Sequence, residues 1–485
     1  MANEVGLILT PAQTFDRQAI AVHKFGGSSL ASKERLNNVA QIIEQQTLAE
    51  DFIVVSANGN ITDWLVEFSE GEKEALDKIS DYYQELVSQT LNKPENCLAD
   101  FQRDIDELKV KPFSSEEILA NGEIWSAKLL VELLNERNVS SLFIDARSIL
   151  STDSIEDYRH FDVDYFDKGI EREIYGNFGK RLIVTGYIAQ DFCDETITLG
   201  RNGSDYSATL LARFGEAESV TLWTDVCGIY TADPRLVKSA HPVNFLTYEE
   251  ARDLASVGTN VLHQKTISPL VDKNIPLFIR SSLEPQKQGT KVCSQCDSEE
   301  RVKSIALKND LSKINIAFNQ DICVDTLLHQ FFEKHIVALI CEHSSNDKKI
   351  SLLIGKADLP AAENILEQES LQRDTLTFEI QNETRSLISI VGKGVLQNSK
   401  LFESLEFNLK DKVQYRFFQG TQKNAINLVI QEQDAISILN QVYSACFELE
   451  SEKSTHANRQ FSKQSNSLAL NQHPQKIAEA VEYGI

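Results

Sequence analysis

No run of eighteen apolar residues occurs anywhere in the 485-residue chain, so a membrane-spanning helix is not expected. Positive charge is also in short supply. Lys and Arg number 48 against 72 Asp and Glu, a formal charge of −24. A field of that sign repels polyanions, which argues against bulk nucleic acid or an anionic membrane surface as partners. Small anions remain open to it, because a few focused Lys and Arg side chains dominate a cleft. Met1 to Arg17 lacks a basic stretch followed by an apolar one, so no secretory signal is expected and the chain reads as cytoplasmic. Of eight scattered cysteines, only Cys293 and Cys296 have metal or redox spacing. No nearby Cys or His pair completes a structural zinc site, so reduced thiols are expected.

What is present is an ordinary globular composition, 42% hydrophobic and 25% charged, over a length that accommodates about three domains. Residues 1–20 read as an extension. Over 21–298 short β-rich runs alternate with amphipathic helical stretches, the pattern of an α/β domain with a largely parallel central sheet flanked by helices. Strands are expected at Ala21–His23, Phe52–Val55, Arg181–Thr185 and Val220–Trp223. The last three run into Ser56–Gly59, Gly186–Tyr187 and Thr224–Asp225, and the carboxyl ends of strands are where open α/β sheets bind ligands. After residue 300 the order β-α-β-β-α-β runs over 299–382, with Val337–Ile340 as one strand, and recurs over 383–449, giving two small α+β domains in tandem. The Ser-, Gln-, Asn- and Lys-rich stretch 450–485 is expected to be a disordered tail.

The most informative segment is Lys24-Phe25-Gly26-Gly27-Ser28-Ser29-Leu30. A strand precedes it, and apolar Leu36, Val39, Ala40 and Ile43 follow at helical spacing. Strand, Gly-Gly turn and helix start together make an anion site, with freed N–H groups converging and Lys24 adding a mobile charge. By itself the segment is equally an ordinary Gly-Gly turn with a surface lysine. Gly200-Arg201-Asn202-Gly203-Ser204-Asp205 is a second Gly-punctuated loop, opening a helix expected from Tyr206. Arg201 suits bidentate binding of a carboxylate, and Asp205 would hold a metal or orient Lys24. Glu123, before an apolar helix, would pair with a substrate ammonium or merely complement the helix dipole. Thr224 to Arg235 offers a ring for a purine, hydroxyl and carboxylate groups, and an Arg for phosphates; it would also serve as a plain pair of turns. Thr247 and Glu250 have capping-box spacing. His263 has no acidic or nucleophilic neighbour in sequence and reads as a packed, hydrogen-bonded residue.

Taken together, the KFGGSS, GRNGSD, TDVCGIYTADPR and VLH segments and the later Arg280-Ser281-Ser282…Gly289-Thr290 resemble aspartokinases of the amino-acid kinase family, in order from about residue 21 to 448. The wording around Lys24, Glu123 and Arg201 is most similar to the kinase half of the methionine-linked bifunctional aspartokinase/homoserine dehydrogenases. The resemblance implies an amino-acid-kinase-like catalytic domain followed by two ACT-like domains. It also implies transfer of the ATP γ-phosphoryl group, with Mg2+ as part of the nucleotide complex, to the β-carboxylate of L-aspartate. The product would be 4-phospho-L-aspartate for lysine, threonine and methionine biosynthesis.

Residue by residue, it implies that Lys24 stabilises the transferring phosphoryl group beside Gly26, Gly27 and Ser28. Thr62, Glu123, Arg201 and Ser204 would bind aspartate, Glu123 at the ammonium and Arg201 at the α-carboxylate. Asp205 would organise Lys24 and the magnesium-phosphate cluster, and Thr224, Asp225, Tyr230 and Arg235 would hold the nucleotide. Asn260 stands where many aspartokinases have Lys. The only GxG, Gly392-Lys393-Gly394, lacks the third glycine of a dinucleotide loop, so no NAD(P) function is expected. The stretch Asn319–Asp325, where the family typically binds an effector, has no glycine and two carboxylates. Weak or absent inhibition by lysine and threonine is therefore expected, with the ACT-like pair serving a homodimer or higher homo-oligomer. The rival readings are a catalytically weak amino-acid-binding regulatory protein and a kinase of the same fold acting on another acidic metabolite.

Overall fold

The computed structural model describes residues 20–447, apart from 175–176, 258–261, 295–300, 319–323, 335, 345–347, 373–375, 382, 410–415 and 419–423. The chain divides into two compact units. One comprises the residues up to Tyr230 together with Pro242–Ser298, and the other comprises Thr231–His241 and the residues from Glu299 onward.

In the first unit, strands β1 (Ala21–Phe25), β2 (Phe52–Val55), β3 (Ser141–Ile144), β4 (Arg181–Thr185), β7 (Ser219–Thr224), β8 (Phe245–Thr247), β9 (Leu277–Ser281) and β10 (Thr290–Cys293) form one sheet. The short pair β5 (Ile188–Gln190) and β6 (Thr196–Thr198) stands apart from it. The order in the large sheet is β3-β4-β2-β1-β7-β9-β10-β8, and every pairing is parallel except β9 with β10. All four residues of β2 are buried, as are Leu182–Thr185 of β4. Strands covered on both faces read as continuous apolar runs, which is why these were visible in the sequence.

Helices α1 (Lys33–Gln46), α2 (Ile61–Ser69), α3 (Ala75–Thr90), α4 (Glu95–Val110) and α5 (Ser115–Glu136) share one apolar core with β1, β2 and β4. Tyr83, Phe101 and Trp125 lock three of these helices, with ring centroids 4.5 to 6.0 Å apart. Tyr83 donates its hydroxyl to the Trp125 carbonyl at 2.8 Å, which satisfies that buried hydroxyl. Beyond α6 (Val163–Ile174), helix α7 (Gly203–Phe214) packs against β1, β2 and β7 and is buried from Gly203 to Ala212. Helix α8 (Tyr248–Ser256) carries the expected capping box, with Thr247 and Glu250 both bonded. Helix α9 (Gln264–Val271) leans on α7.

One sequence expectation needs amending here. Helix α7 starts at Gly203, three residues before Tyr206, because Asn202 adopts the left-handed conformation (φ 59°) and turns the chain directly into helix. The stretch Thr231–His241 packs with the second compact unit. Its Ala232 and Val237 are buried among Ile388, Ile426 and Leu439 of the other unit, so burial of apolar surface assigns it there.

The second unit is built on β11 (Ser304–Phe318), α10 (Val324–Glu333), β12 (Ile340–Ser344), β13 (Lys349–Gly355), α11 (Leu359–Gln372), β14 (Leu376–Ile380), β15 (Arg385–Val391), α12 (Ser399–Leu409), β16 (Arg416–Phe418), β17 (Ala425–Gln431) and a helix over 435–447. The first α+β order is β11-α10-β12-β13-α11-β14, as expected, with β12 starting at Ile340, where the expected strand ended. The second has no closing strand among the described residues. Its place beside β15 is taken by Ser304–Lys308, the first part of β11, while Ile314–Ala317 of the same strand pairs with β13 and β14. A seven-stranded antiparallel sheet therefore runs through both halves. The expected tail over 450–485 lies outside the described residues.

Candidate functional site

The carboxyl ends of β1, β2 and β4 are tied together by their backbones. Ser56 N–H donates to Phe25 O at 3.2 Å, Gly59 N–H to Gly27 O at 3.1 Å, and Gly186 N–H to Val55 O at 2.9 Å. Two glycines make the closeness possible. A Cβ on Gly27 would stand 2.6 Å from the Ala57 carbonyl oxygen, and one on Gly186 would stand 2.6 Å from the Ser204 Cβ. The loops after three strands and the first turn of α7 thus converge where open α/β sheets hold ligands.

Lys24 leaves β1 into this convergence and pairs with Asp205 in the first turn of α7, Nζ to Oδ1 2.6 Å. Both side chains are largely enclosed, 13% and 11% exposed, so this pair is shielded from the screening that weakens surface ion pairs. Ser204 and Asp205 are buried, while Gly26 and Gly27 are half-buried beside them. Ser28 is exposed, and its carbonyl accepts from Arg35 Nη1 at 2.7 Å. Ser29, buried, shares a 2.8 Å hydrogen bond with Ser282. The Ser282 N–H in turn donates to the Thr224 carbonyl at 2.7 Å, which links the β1 loop to the ends of β9 and β7.

Glu123 projects from the third turn of α5, 2% exposed. Its Oε1 accepts the Ala57 N–H at 3.3 Å, and its Oε2 is buried without any hydrogen-bond donor. Burial pushes this carboxyl up from 4.5 to about 8, against a smaller opposing effect of the Lys24 charge. Gly122 beside it fits closely, since a Cβ there would lie 2.8 Å from the Ala57 Cβ. An acid this deeply enclosed, with one oxygen unsatisfied, is what an incoming cation would complete. The alternative, a carboxylate merely complementing a helix N-terminus, does not describe it, because α5 begins eight residues earlier at a Ser114–Glu117 capping box.

Thr62 sits half-buried in the first turn of α2, which opens from the same β2 loop. Arg201 is exposed and makes no hydrogen bond or ion pair with the described residues. Thr224 Oγ1 donates to Asp225 Oδ1 at 3.1 Å at the end of β7, and Tyr230 follows, bridged to Pro242. Burial raises the Tyr230 hydroxyl's pKa and keeps it neutral. Arg235 belongs to the other unit, where it is exposed with Nη2 2.7 Å from Asp233 Oδ2.

His263 is the N-cap of α9, its Nδ1 accepting from the Lys265 N–H at 3.3 Å. Burial first, then Lys265 and Arg201, lowers its pKa, which favours the neutral ring that accepts this bond. Among the described residues no cluster of His, Cys, Asp and Glu forms a metal-binding group. Cys293 is half-buried, whereas Cys296 and Asn260 lie outside the described residues. No helix among the described residues is long and apolar enough to cross a membrane. Sequence reasoning did not single out Asn58, whose Nδ2 holds the Leu30 carbonyl at 2.9 Å, Asn202, or Tyr187, which takes a positive φ of 68° after β4. For Tyr187 the only signal was its place after Gly186 at a strand end.

The profile of the amino acid kinase family matches residues 19–281. Lysine-sensitive aspartokinase 3 of Escherichia coli (strain K12) is 26% identical over 458 residues, covering 88% of this chain and 99% of that protein. The bifunctional aspartokinase/homoserine dehydrogenase 2 of the same organism is 27% identical over 442 residues and 86% of this chain, which spans 52% of that relative's length. Among solved structures, E. coli aspartokinase III in complex with aspartate and ADP (R-state) superposes with a TM-score of 0.75 at 25% identity, covering 88% of this chain and 100% of that one. With a family match over residues 19–281, which carry Lys24, Glu123 and Asp205, and aspartokinases alike over 88% of its length, the chain belongs to the amino acid kinase family, among its aspartokinases.

Proposed function

We propose that the protein is an ATP:L-aspartate 4-phosphotransferase, making 4-phospho-L-aspartate from magnesium-ATP and L-aspartate for lysine, threonine and methionine biosynthesis. The observation that carries this reading is the unsatisfied Glu123 carboxyl buried beside the Lys24–Asp205 pair. Glu123 offers a desolvated partner for an α-ammonium, and the exposed Arg201 guanidinium, unpaired among the described residues, suits the α-carboxylate. With Thr62 and Ser204 completing the substrate contacts, the β-carboxylate is left as nucleophile. It attacks the γ-phosphorus, the bond to the β–γ bridging oxygen breaks, and ADP leaves. A carboxylate nucleophile carries no proton to be removed, so no general base is required. The task of the protein is positioning and charge stabilisation. Lys24 and the amides of Gly26, Gly27 and Ser28 would supply the stabilisation, with Asp205 organising the lysine and the magnesium-phosphate cluster. Thr224, Asp225 and Tyr230 would hold the nucleotide; for Arg235 that role rests on the family resemblance alone. The aspartate and ADP bound by the E. coli relative support both substrates.

Oligomerisation through the ACT-like domains, as a homodimer or larger, belongs to the same proposal, as does a cytoplasmic location. The effector stretch Asn319–Asp325 falls largely outside the described residues, so the expectation about it rests on its composition. Lysine and threonine titrated into the kinase assay should inhibit weakly or not at all; strong inhibition at sub-millimolar effector would overturn that expectation.

Lys24→Ala should lower kcat a hundredfold or more, on the order of 3 kcal/mol of transition-state stabilisation. Steady-state turnover in the hydroxamate assay reads this, and near-normal kcat in the folded variant removes Lys24 from the chemistry. Arg201→Ala should raise KM for aspartate far more than KM for ATP. Equal effects on both would move Arg201 to the phosphate end of the site.

Glu123→Gln should weaken aspartate binding while stabilising the free protein, and the sign of the second effect follows from proton linkage. The unfolded acid ionises near 4.5 and the folded one near 8. Between those values the native state holds a proton that the unfolded state has lost, so wild-type stability falls as pH rises through the window. The variant's advantage in thermal unfolding should therefore grow from pH 5 to pH 8 and then level. An advantage independent of pH would show that Glu123 is not buried as an acid.

A further inference from the structure

Asn202 is the N-cap of α7, yet its side chain does not cap the helix. In the left-handed conformation (φ 59°, ψ 26°) it cannot offer its oxygen to the first-turn N–H groups as an extended N-cap residue does. Instead Nδ2 donates to Asp205 Oδ2 at 3.3 Å. The Asp205 carboxylate is thus held at both oxygens, by Lys24 on Oδ1 at 2.6 Å and by Asn202 on Oδ2. Asp205 is 8% exposed and stands at the position where a capping box would turn an acid back onto the chain. Here it faces β1 instead, and the donor that holds it in that direction comes from its own helix's N-cap residue.

We propose that Asn202 is a positioning residue for phosphoryl transfer, fixing the plane of the Asp205 carboxylate and through it the ammonium of Lys24. The inference rests on the kinase reading above. When Lys24 turns toward a nucleotide phosphate, Asp205 loses its ion-pair partner on Oδ1. The Asn202 amide then remains as the donor that keeps the carboxylate aimed at the lysine. Two roles of Asn202 are separable by substitution. Glycine adopts the left-handed conformation more readily than asparagine but has no amide; aspartate keeps the shape and tolerates that conformation but cannot donate when ionised.

The test is therefore steady-state kinetics of Asn202→Gly and Asn202→Asp beside the wild type, together with a crystal structure of Asn202→Gly. The expected result is a kcat lowered about five- to twentyfold in both variants, in the range for loss of a hydrogen bond to a charged group. KM for aspartate and for ATP should stay within about twofold, thermal unfolding of the Gly variant should be unchanged, and the Asp205 carboxylate should be rotated. A Gly variant with wild-type kcat would overturn the proposal and leave Asn202 a backbone role only. A raised KM with kcat intact would also overturn it, placing Asn202 against substrate. A wild type that does not phosphorylate aspartate defeats the kinase reading. The crystal structure still decides the inference in that case, an unmoved Asp205 carboxylate counting against it.

Discussion

The site depends on loops approaching one another more closely than side chains permit. Gly27 has the Ala57 carbonyl where a Cβ would be, and Gly186 has Ser204 there, each at 2.6 Å. Backbone hydrogen bonds between the β1, β2 and β4 loops then do what side-chain packing does elsewhere. They satisfy buried polar groups at the edge of the core and set the spacing of everything carried on the loops. Lys24, Ala57 and Asp205 are where they are because these chain segments cannot be moved apart without losing those bonds.

Within that frame the electrostatics divide in two. Lys24 and Asp205 satisfy each other, a pair that on the proposed function would be rearranged when a phosphate arrives. Glu123 has no such partner. Its carboxyl is enclosed by α5 and the β2 loop and held by one long N–H contact, so the free protein keeps it protonated around neutrality. On the proposed function, an ammonium entering beside it would gain a partner only by displacing that proton. Binding energy for the substrate would then be stored as unfavourable burial in the empty protein, a stability cost at a functional position.

The sequence made the central strands legible because burial on both faces requires continuous apolar runs, and Phe52–Val55 and Arg181–Thr185 are such runs. Strand β3 escaped notice because it lies at the end of the sheet, with Leu142 and Phe143 only half-buried. Lys24, Glu123, Arg201 and Asp205 were legible as chemistry next to glycines. The partner of Glu123 was not, because it is a backbone N–H 66 residues away in sequence, and no residue type announces a backbone donor. Asn202 was hidden for a related reason: an asparagine before a helix reads as a cap, and only the sign of φ shows that its amide faces elsewhere.

The excursion Thr231–His241 shows how one motif can serve two structural neighbourhoods. Tyr230 closes the α/β side by its bridge to Pro242, and the next residue already belongs to the other unit. There Thr231 Oγ1 meets the Tyr443 hydroxyl at 3.0 Å, and that hydroxyl donates to the Ser239 carbonyl at 2.9 Å. The Ile305 N–H donates to the Thr231 carbonyl at 2.8 Å. Both ends of the excursion are therefore anchored, by the helix over 435–447 and by the start of β11.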